Sequence, residues 1–140
     1  MVGTLLGLAG LGIHRAIQKD AELARYRAAA QELASTVRAM RAQAAAKRRT
    51  VQLSIDALHG TFQVVSIRRG SSRRSFETLE RTFWLPDGLQ VSEGPATLTA
   101  LPNGHLASAT IVIVAPAYQR LFRLTTRESG VVQLDEEPTL

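Results

Sequence analysis

Apolar residues recur at helical spacing in the first third of the chain and alternate with polar residues after residue 49. Between Leu23 and Ala44 they lie three or four positions apart, which places them on one face of an α-helix. No Pro or Gly interrupts the chain from Ile13 to Arg49, and many other positions are Ala, a strong helix former. The pattern predicts one continuous helix over residues 1–49. Its apolar stripe, which we expect to pack against the rest of the protein, is Leu23, Tyr26, Ala30, Leu33, Val37, Met40 and Ala44.

The first part of this helix is uncharged. The run from Met1 to Ile13 contains no charged residue and is followed by His14 and Arg15. It is shorter than the ~20 apolar residues of a bilayer crossing, and it lacks the leading positive charge of a secretory signal. We therefore expect an apolar stem over residues 1–13 and an amphipathic rod over residues 14–49. The stem residues predicted to pack in a membrane or a filament are Leu5, Leu6, Leu8, Leu11 and Ile13.

Residues 50–140 show the signals of a β-rich globular domain. Val51, Leu53 and Ile55 alternate with polar residues, which predicts a half-buried strand. The tripeptides that begin at Pro86 and Pro102 predict tight turns, because Pro fixes φ and the following Asn or Gly tolerates positive φ. The most apolar run, residues 110–114, should be central in a sheet. Further strands are predicted at residues 61–68, 76–84, 89–91, 96–101, 119–126 and 131–134.

Many short strands separated by turns favour an antiparallel, two-layer arrangement. The predicted fold class is α+β, a long N-terminal helix packed on an antiparallel two-layer β-domain. The acidic end, residues 135–140, is expected to be a frayed tail.

Composition and residue spacing argue against several classes of functional site. The chain has 140 residues, enough for one domain with a core, and it contains no Cys, which excludes disulfides and thiolate metal sites. Its three histidines, His14, His59 and His105, are isolated from one another, and Asp87 is explained by its turn. We predict no catalytic residue, no cofactor, no metal and no small-molecule substrate.

The net charge of +5 is compatible with an anionic partner, either phospholipid or nucleic acid. Four arginines, Arg68, Arg69, Arg73 and Arg74, flank a Gly-Ser-Ser segment. Because guanidinium groups bind phosphates with fork geometry, this loop is a candidate for anion or DNA contact. It has no aromatic residue for base stacking, which argues against single-strand binding. A solvated loop is the simpler alternative.

The helical segment also carries a family resemblance. Its pattern R-x-x-A-x-x-L-x-x-x-V-R-x-x-R-x-x-A starts at Arg27 and is followed by Lys47-Arg48-Arg49 and a V-x-L strand. This pattern resembles the minor pseudopilins of type II secretion and type IV pili, with the GspH/FimT family nearest. Leu101-Pro-Asn-Gly104 with the strand after it, and Gly130-Val-Val-Gln-Leu134, look like later regions of that family.

The resemblance implies a pilin-like fold and a structural subunit of a periplasmic pseudopilus or type IV pilus, in protein secretion or pilus assembly. It implies inner-membrane lipid and other pseudopilins or pilins, bound through the N-terminal helix, as partners. The expected location is the bacterial inner membrane with the β-domain in the periplasm. Two alternatives remain: a DNA-binding minor pilin, since some FimT relatives are DNA receptors, and a soluble β-domain binding module with a coiled-coil helix.

The start of the sequence differs from the family pattern. Family members begin with a Gly-Phe peptidase site and carry a Glu early in the mature helix, and neither is present here. Aligning His14 with the point where the family helix leaves the bilayer gives the expectation that about two helical turns precede Met1.

Overall fold

A computed structural model describes the backbone over residues 2–69 and 75–139, and side chains over residues 17–68 and 77–139. The chain begins with a 46-residue helix, α1 (Val2–Lys47). Several residues of the apolar stripe, including Tyr26, Leu33 and Val37, are at most 2% exposed, whereas Leu23 is half-buried. The helical spacing of the sequence therefore corresponds to a buried face.

Within the described residues, eight strands follow α1 and form two antiparallel sheets of four strands each. The first sheet has the order β3-β2-β1-β5 and the second the order β4-β6-β7-β8. The predicted antiparallel two-layer class is confirmed. The strands are β1 (Thr50–Asp56), β2 (Thr61–Arg69), β3 (Ser75–Trp84), β4 (Gln90–Glu93), β5 (Thr97–Ala100), β6 (Ala109–Ala115), β7 (Arg120–Thr126) and β8 (Val132–Pro138).

The two sheets are joined by short connections. The chain passes from β4 in the second sheet to β5 in the first through Gly94 and Pro95, a pair that cannot continue a regular ladder. The apolar strand β6 lies between β4 and β7, as expected for a central strand. Gly88 (φ 95°) and Gly104 (φ 86°) take the positive φ that the two predicted turns require.

The hydrophobic core lies where α1 meets both sheets. The stripe of α1 contributes the helical side of the core. Alternate residues of the strands contribute the other side, in agreement with the period of two. Among the largest fully buried side chains outside α1 are Leu53, Phe62, Leu98, Leu106, Ile111, Ile113 and Leu124.

The prediction of a frayed acidic tail is wrong. Strand β8 continues to Pro138 and pairs with β7 along its whole length, with Arg120 opposite Pro138. The acidic side chains have cationic partners: Arg123 Nη1 lies 2.7 Å from Glu137 Oε1, and Arg27 Nε lies 2.9 Å from Glu136 Oε2. Backbone pairing and these two ion pairs hold the segment on the sheet.

Within the part of the chain that is described, no helix is both long enough and apolar enough to cross a membrane.

Candidate functional site

The helix is longer than the domain it packs on. Its buried face from Tyr26 to Ala44 spans about 27 Å, which matches the ~23 Å length of a seven-residue strand such as β1. The part of α1 from Val2 to Arg25 adds roughly 35 Å. Ile17 lies on this part and is 61% exposed, although it is a large apolar side chain. The protein therefore has two distinct ends along the helix axis.

At the lower end, where α1 leaves the domain, two tyrosines hold one carboxylate. Tyr26 Oη donates to Glu22 Oε1 at 3.0 Å, and Tyr118 Oη donates to Glu22 Oε2. Tyr118 belongs to a one-turn 3₁₀-helix, Pro116–Tyr118, between β6 and β7. We call Glu22, Tyr26 and Tyr118 the carboxylate clamp. The clamp links α1 to the second sheet at the point where the helix extends beyond the β-domain.

The clamp perturbs the titration of its members. The hydrogen bonds from Tyr118 and then Tyr26 hold the pKa of Glu22 below its ordinary value of 4.5, because they stabilise the ionised carboxylate. The hydrogen bond to that carboxylate, with burial second, raises the pKa of Tyr118 to about 12. Burial, followed by the bond to Glu22, raises the pKa of Tyr26. The clamp is therefore complete across the neutral range.

Two further contacts reinforce this end of the domain. Tyr26 Oη also lies 2.9 Å from the backbone oxygen of Asp87, in the turn that precedes β4. Lys19 Nζ lies 5.8 Å from the centroid of the Tyr118 ring, within the range of a cation–π contact. A Cβ atom on Gly88 would overlap the Tyr26 hydroxyl, so this turn requires glycine for both space and its positive φ.

At the upper end, where α1 ends and the chain turns into β1, basic side chains line an open pocket with a volume of about 800 Å³. Lys47, Arg48 and Arg49 come from the end of α1 and the turn into β1, and Arg68 comes from the end of β2. We call these four residues the basic pocket. Thr50, Ile67 and Pro102 complete its lining.

The basic pocket combines residues that the sequence analysis assigned to separate features. Arg68, predicted as an anion contact, lies there and is exposed. The side chains of its predicted companions Arg69, Arg73 and Arg74 lie outside the described residues. So do those of the stem residues Leu5, Leu6, Leu8, Leu11 and Ile13.

Two features were missed. Lys47, Arg48 and Arg49 precede Arg68 by about twenty positions in the sequence, and only the antiparallel pairing of β1 with β2, with Thr50 opposite Ile67, brings them together. The carboxylate clamp joins Glu22 and Tyr118, which are 96 positions apart. The sequence signal available for the first was the run of three basic residues, and for the second there was none.

One histidine is paired with a carboxylate among the described residues. His59 Nδ1 lies 2.7 Å from Asp56 Oδ2 in the exposed turn after β1, and this hydrogen bond lowers the pKa of Asp56. No group of three or more His, Cys, Asp or Glu side chains within the described ranges is arranged to hold a metal ion. The Asp56–His59 contact is typical of a turn that is closed by its own side chains.

The fold is similar to that of known pilin-type subunits. The minor pseudopilin EpsH from the Type 2 Secretion System of Vibrio cholerae matches with a TM-score of 0.64 and 16% identity, over 79% of this chain and 96% of that one. The type IV minor pilin FimU of Pseudomonas aeruginosa matches with a TM-score of 0.63 and 19% identity, over 81% and 90% of the two chains. No family model and no curated protein matches the sequence. The similarity establishes a pilin-like fold, as predicted.

Proposed function

We propose that the chain is a minor pseudopilin or minor pilin, a non-enzymatic subunit of a periplasmic fibre in a type II secretion system or a type IV pilus. The observation that carries this proposal is the single 46-residue helix that extends well beyond the β-domain on which it packs. The similarity of the whole fold to EpsH and FimU supports it.

The mechanism proposed for such a subunit is mechanical. Residues 1–13 are uncharged, so they can rest in the lipid of the inner membrane and later pack against neighbouring stems in a filament. Both environments are apolar, and side-chain packing then decides between them. The β-domain would face the periplasm and carry the contacts with other subunits.

The exposed side chain of Ile17 favours contact with a helix of another subunit at this position. A large apolar side chain with 61% exposure on the helix, just after the stem, is well placed to be covered by a neighbouring helix. We expect a photo-reactive residue at position 17 to cross-link to another pilin-type subunit in the bacterial host. The same residue in place of Leu58, which is 87% exposed in the turn after β1, reports on contacts of the β-domain instead, and only the cross-link from position 17 is expected to reach the N-terminal helix of the other subunit.

A charge in the stem tests the membrane part of the proposal. Leu8→Arg should move the protein from the membrane fraction to the soluble fraction and abolish its incorporation into fibres, because an arginine is costly in both apolar environments. Leu58→Arg places the same charge on the exposed turn and should leave both properties unchanged. The proposal would be contradicted if the wild-type chain fractionated as a soluble protein and the variant with the photo-reactive residue at position 17 formed no cross-link.

A further inference from the structure

The chain has a single tryptophan, and its side chain is exposed. Trp84 is the last residue of β3 and is 66% exposed. Phe83 beside it is half-buried and packs against Phe62, with 5.8 Å between the centroids of the two rings. Because neighbouring residues of a strand point to opposite faces of a sheet, Phe83 faces the core and Trp84 faces outward. The packing of the core therefore does not require the indole ring.

Strand pairing places polar side chains beside Trp84. Two rows of residues cross the outer face of the first sheet at this end, away from the core. Their side chains share that face, because each lies two positions from Trp84 in its strand or pairs with a residue on the same face. The first row is Trp84, Thr61 and Asp56, and the second is Thr82, Gln63 and Ser54. We call these six residues the polar platform. Around the ring it carries hydroxyl, amide and carboxylate groups, and it contains no Lys or Arg.

The part of the platform next to the ring is concave. A pocket with a volume of about 390 Å³ is lined by Ser54, Asp56, His59, Thr61 and Gln63. This volume lies within the range of ~300–1,000 Å³ that is typical of small-molecule sites. Neighbouring strands lie about 4.8 Å apart, so the pocket begins one strand away from the ring. An aromatic surface and a polar pocket therefore lie side by side at this end of the sheet.

The pocket offers hydrogen-bonding groups to a ligand. The exposed side-chain amide of Gln63 has no hydrogen-bond partner among the described residues. The carboxylate of Asp56 is held in place by His59, whose backbone N–H lies 3.2 Å from Oδ1 and whose Nδ1 lies 2.7 Å from Oδ2. A carboxylate has about four lone-pair sites, so Asp56 can accept further hydrogen bonds. An amide that donates and accepts, beside a carboxylate that accepts, suits a ligand with many hydroxyl groups.

We propose that the polar platform binds an uncharged oligosaccharide. A sugar ring has a face of C–H groups that packs on an aromatic ring, and a rim of hydroxyl groups that hydrogen-bond to polar side chains. Trp84 supplies the aromatic surface, while Gln63 and Asp56 supply hydrogen-bonding groups one and two strands away. The span from β3 to β1 is about 10 Å, which favours a chain of sugars over a monosaccharide.

The composition of the platform argues against two other kinds of ligand. A nucleic acid is held mainly by Lys and Arg, and the platform has neither. An aromatic anchor of a protein interface is surrounded by a well-packed apolar core. The neighbours of Trp84 on its face of the sheet are instead Thr61 and Thr82. An uncharged, hydroxyl-rich ligand fits these surroundings better than either.

The fluorescence of Trp84 tests the proposal directly, because no other tryptophan contributes to the emission. The full chain, in a polyoxyethylene detergent that carries no sugar, is titrated with chitotetraose and with cellotetraose. These two ligands share one backbone and differ in the acetamido groups of chitotetraose. We expect the emission to shift to shorter wavelength and to saturate, since a stacked sugar removes water from the ring. A shift with both ligands assigns the site to the sugar ring, and a shift with one alone assigns it to the presence or absence of the acetamido group.

Matched variants locate the binding site. Isothermal titration calorimetry measures their affinities, since it does not need the tryptophan. Trp84→Ala should weaken binding at least about tenfold, and Gln63→Ala about fivefold. Leu79→Ala removes a side chain that is 57% exposed on the same strand but outside the platform, and it should leave the affinity unchanged. All three side chains are exposed, so thermal melts should show folded variants.

Three results would overturn the proposal. One is the absence of any shift in emission with either ligand at millimolar concentration. Another is an equal loss of affinity in Trp84→Ala and Leu79→Ala. The third is a shift that follows protein concentration without added sugar, because it would assign Trp84 to a contact between two copies of the chain. None of these assays requires a fibre to form, so their failure leaves the proposed subunit role intact.

Discussion

One buried polar side chain, that of Ser66, lowers the stability of this fold. Ser66, on β2, is 2% exposed, and its Oγ has no hydrogen-bond partner among the described residues. A buried hydroxyl without a partner loses its hydration and gains nothing in return. The position is therefore one where a smaller, apolar side chain fits the core better than the native residue.

We expect Ser66→Ala to raise the free energy of unfolding by about 1 kcal/mol. Urea denaturation followed by circular dichroism measures the change. Ser92→Ala, at an exposed position on β4, is the control and should change stability by less than about 0.5 kcal/mol. A loss of stability in Ser66→Ala would mean that the hydroxyl is satisfied in solution.

The carboxylate clamp makes a pH-dependent contribution to stability. Because the pKa of Glu22 is lowered on folding, its contribution is complete above its ordinary value of 4.5 and is lost as pH falls through the folded pKa. Because the pKa of Tyr118 rises from 10.0 to about 12, its contribution is complete below pH 10.0 and is lost as pH rises towards 12. The clamp therefore stabilises the fold most between these two limits.

Tyr118→Phe tests this dependence. The variant should be less stable than the wild type at neutral pH, and the difference should shrink both below pH 4.5 and above pH 10.0. Urea unfolding of both proteins at a series of pH values measures it. A difference that is the same at every pH would show that the hydrogen bond to the ionised Glu22 does not account for the lost stability.

Among the elements, α1 determines whether the two sheets share one core. Leu33 is 1% exposed at the middle of the buried face. Leu33→Ala should lower the free energy of unfolding by about 2–5 kcal/mol, since it removes buried methyl groups and leaves a cavity. Gln31→Ala, two positions away on the exposed side, should change it by less than about 0.5 kcal/mol. Similar losses in the two variants would contradict the assigned packing face.

The sequence was most informative for elements with local signals. The spacing of Tyr26, Leu33 and Met40 predicts α1, and the turn glycines Gly88 and Gly104 mark the ends of strands, because these signals depend on near neighbours. Strand β8 was underestimated, since a run of charged residues looks like a solvated tail when its partners are unknown. Arg27 and Arg123, which pair with it, become visible only in the folded chain.

The basic pocket was harder to predict, because the residues that form it are distant in sequence. Arg68 was identified from its neighbours in sequence, yet the cations that share its pocket are Lys47, Arg48 and Arg49. Strand pairing sets this arrangement, and pairing between distant segments isn't encoded in a local pattern. The resemblance to pilin-type subunits supplied the overall fold, but not the contacts specific to this chain.

At the scale of the whole molecule, the rod and the domain have separable roles. The buried face of α1 begins near Tyr26, and its span of about 27 Å already matches the sheets. A chain that lacks residues 1–16 should therefore keep its fold, with a free energy of unfolding within about 0.5 kcal/mol of the full chain in the same detergent. This truncation retains Lys19 and Glu22, so the carboxylate clamp stays intact.

The truncation should change association without changing the fold. Without detergent, we expect the shortened chain to be monomeric and the full chain to associate through its uncharged stem, because contiguous exposed apolar surface drives association. Sedimentation velocity measures association, and chemical denaturation measures the stability of the fold. If the shortened chain unfolded, residues 1–16 would contribute to the core. The division of α1 into a buried part and a part that is free of the domain would then be wrong.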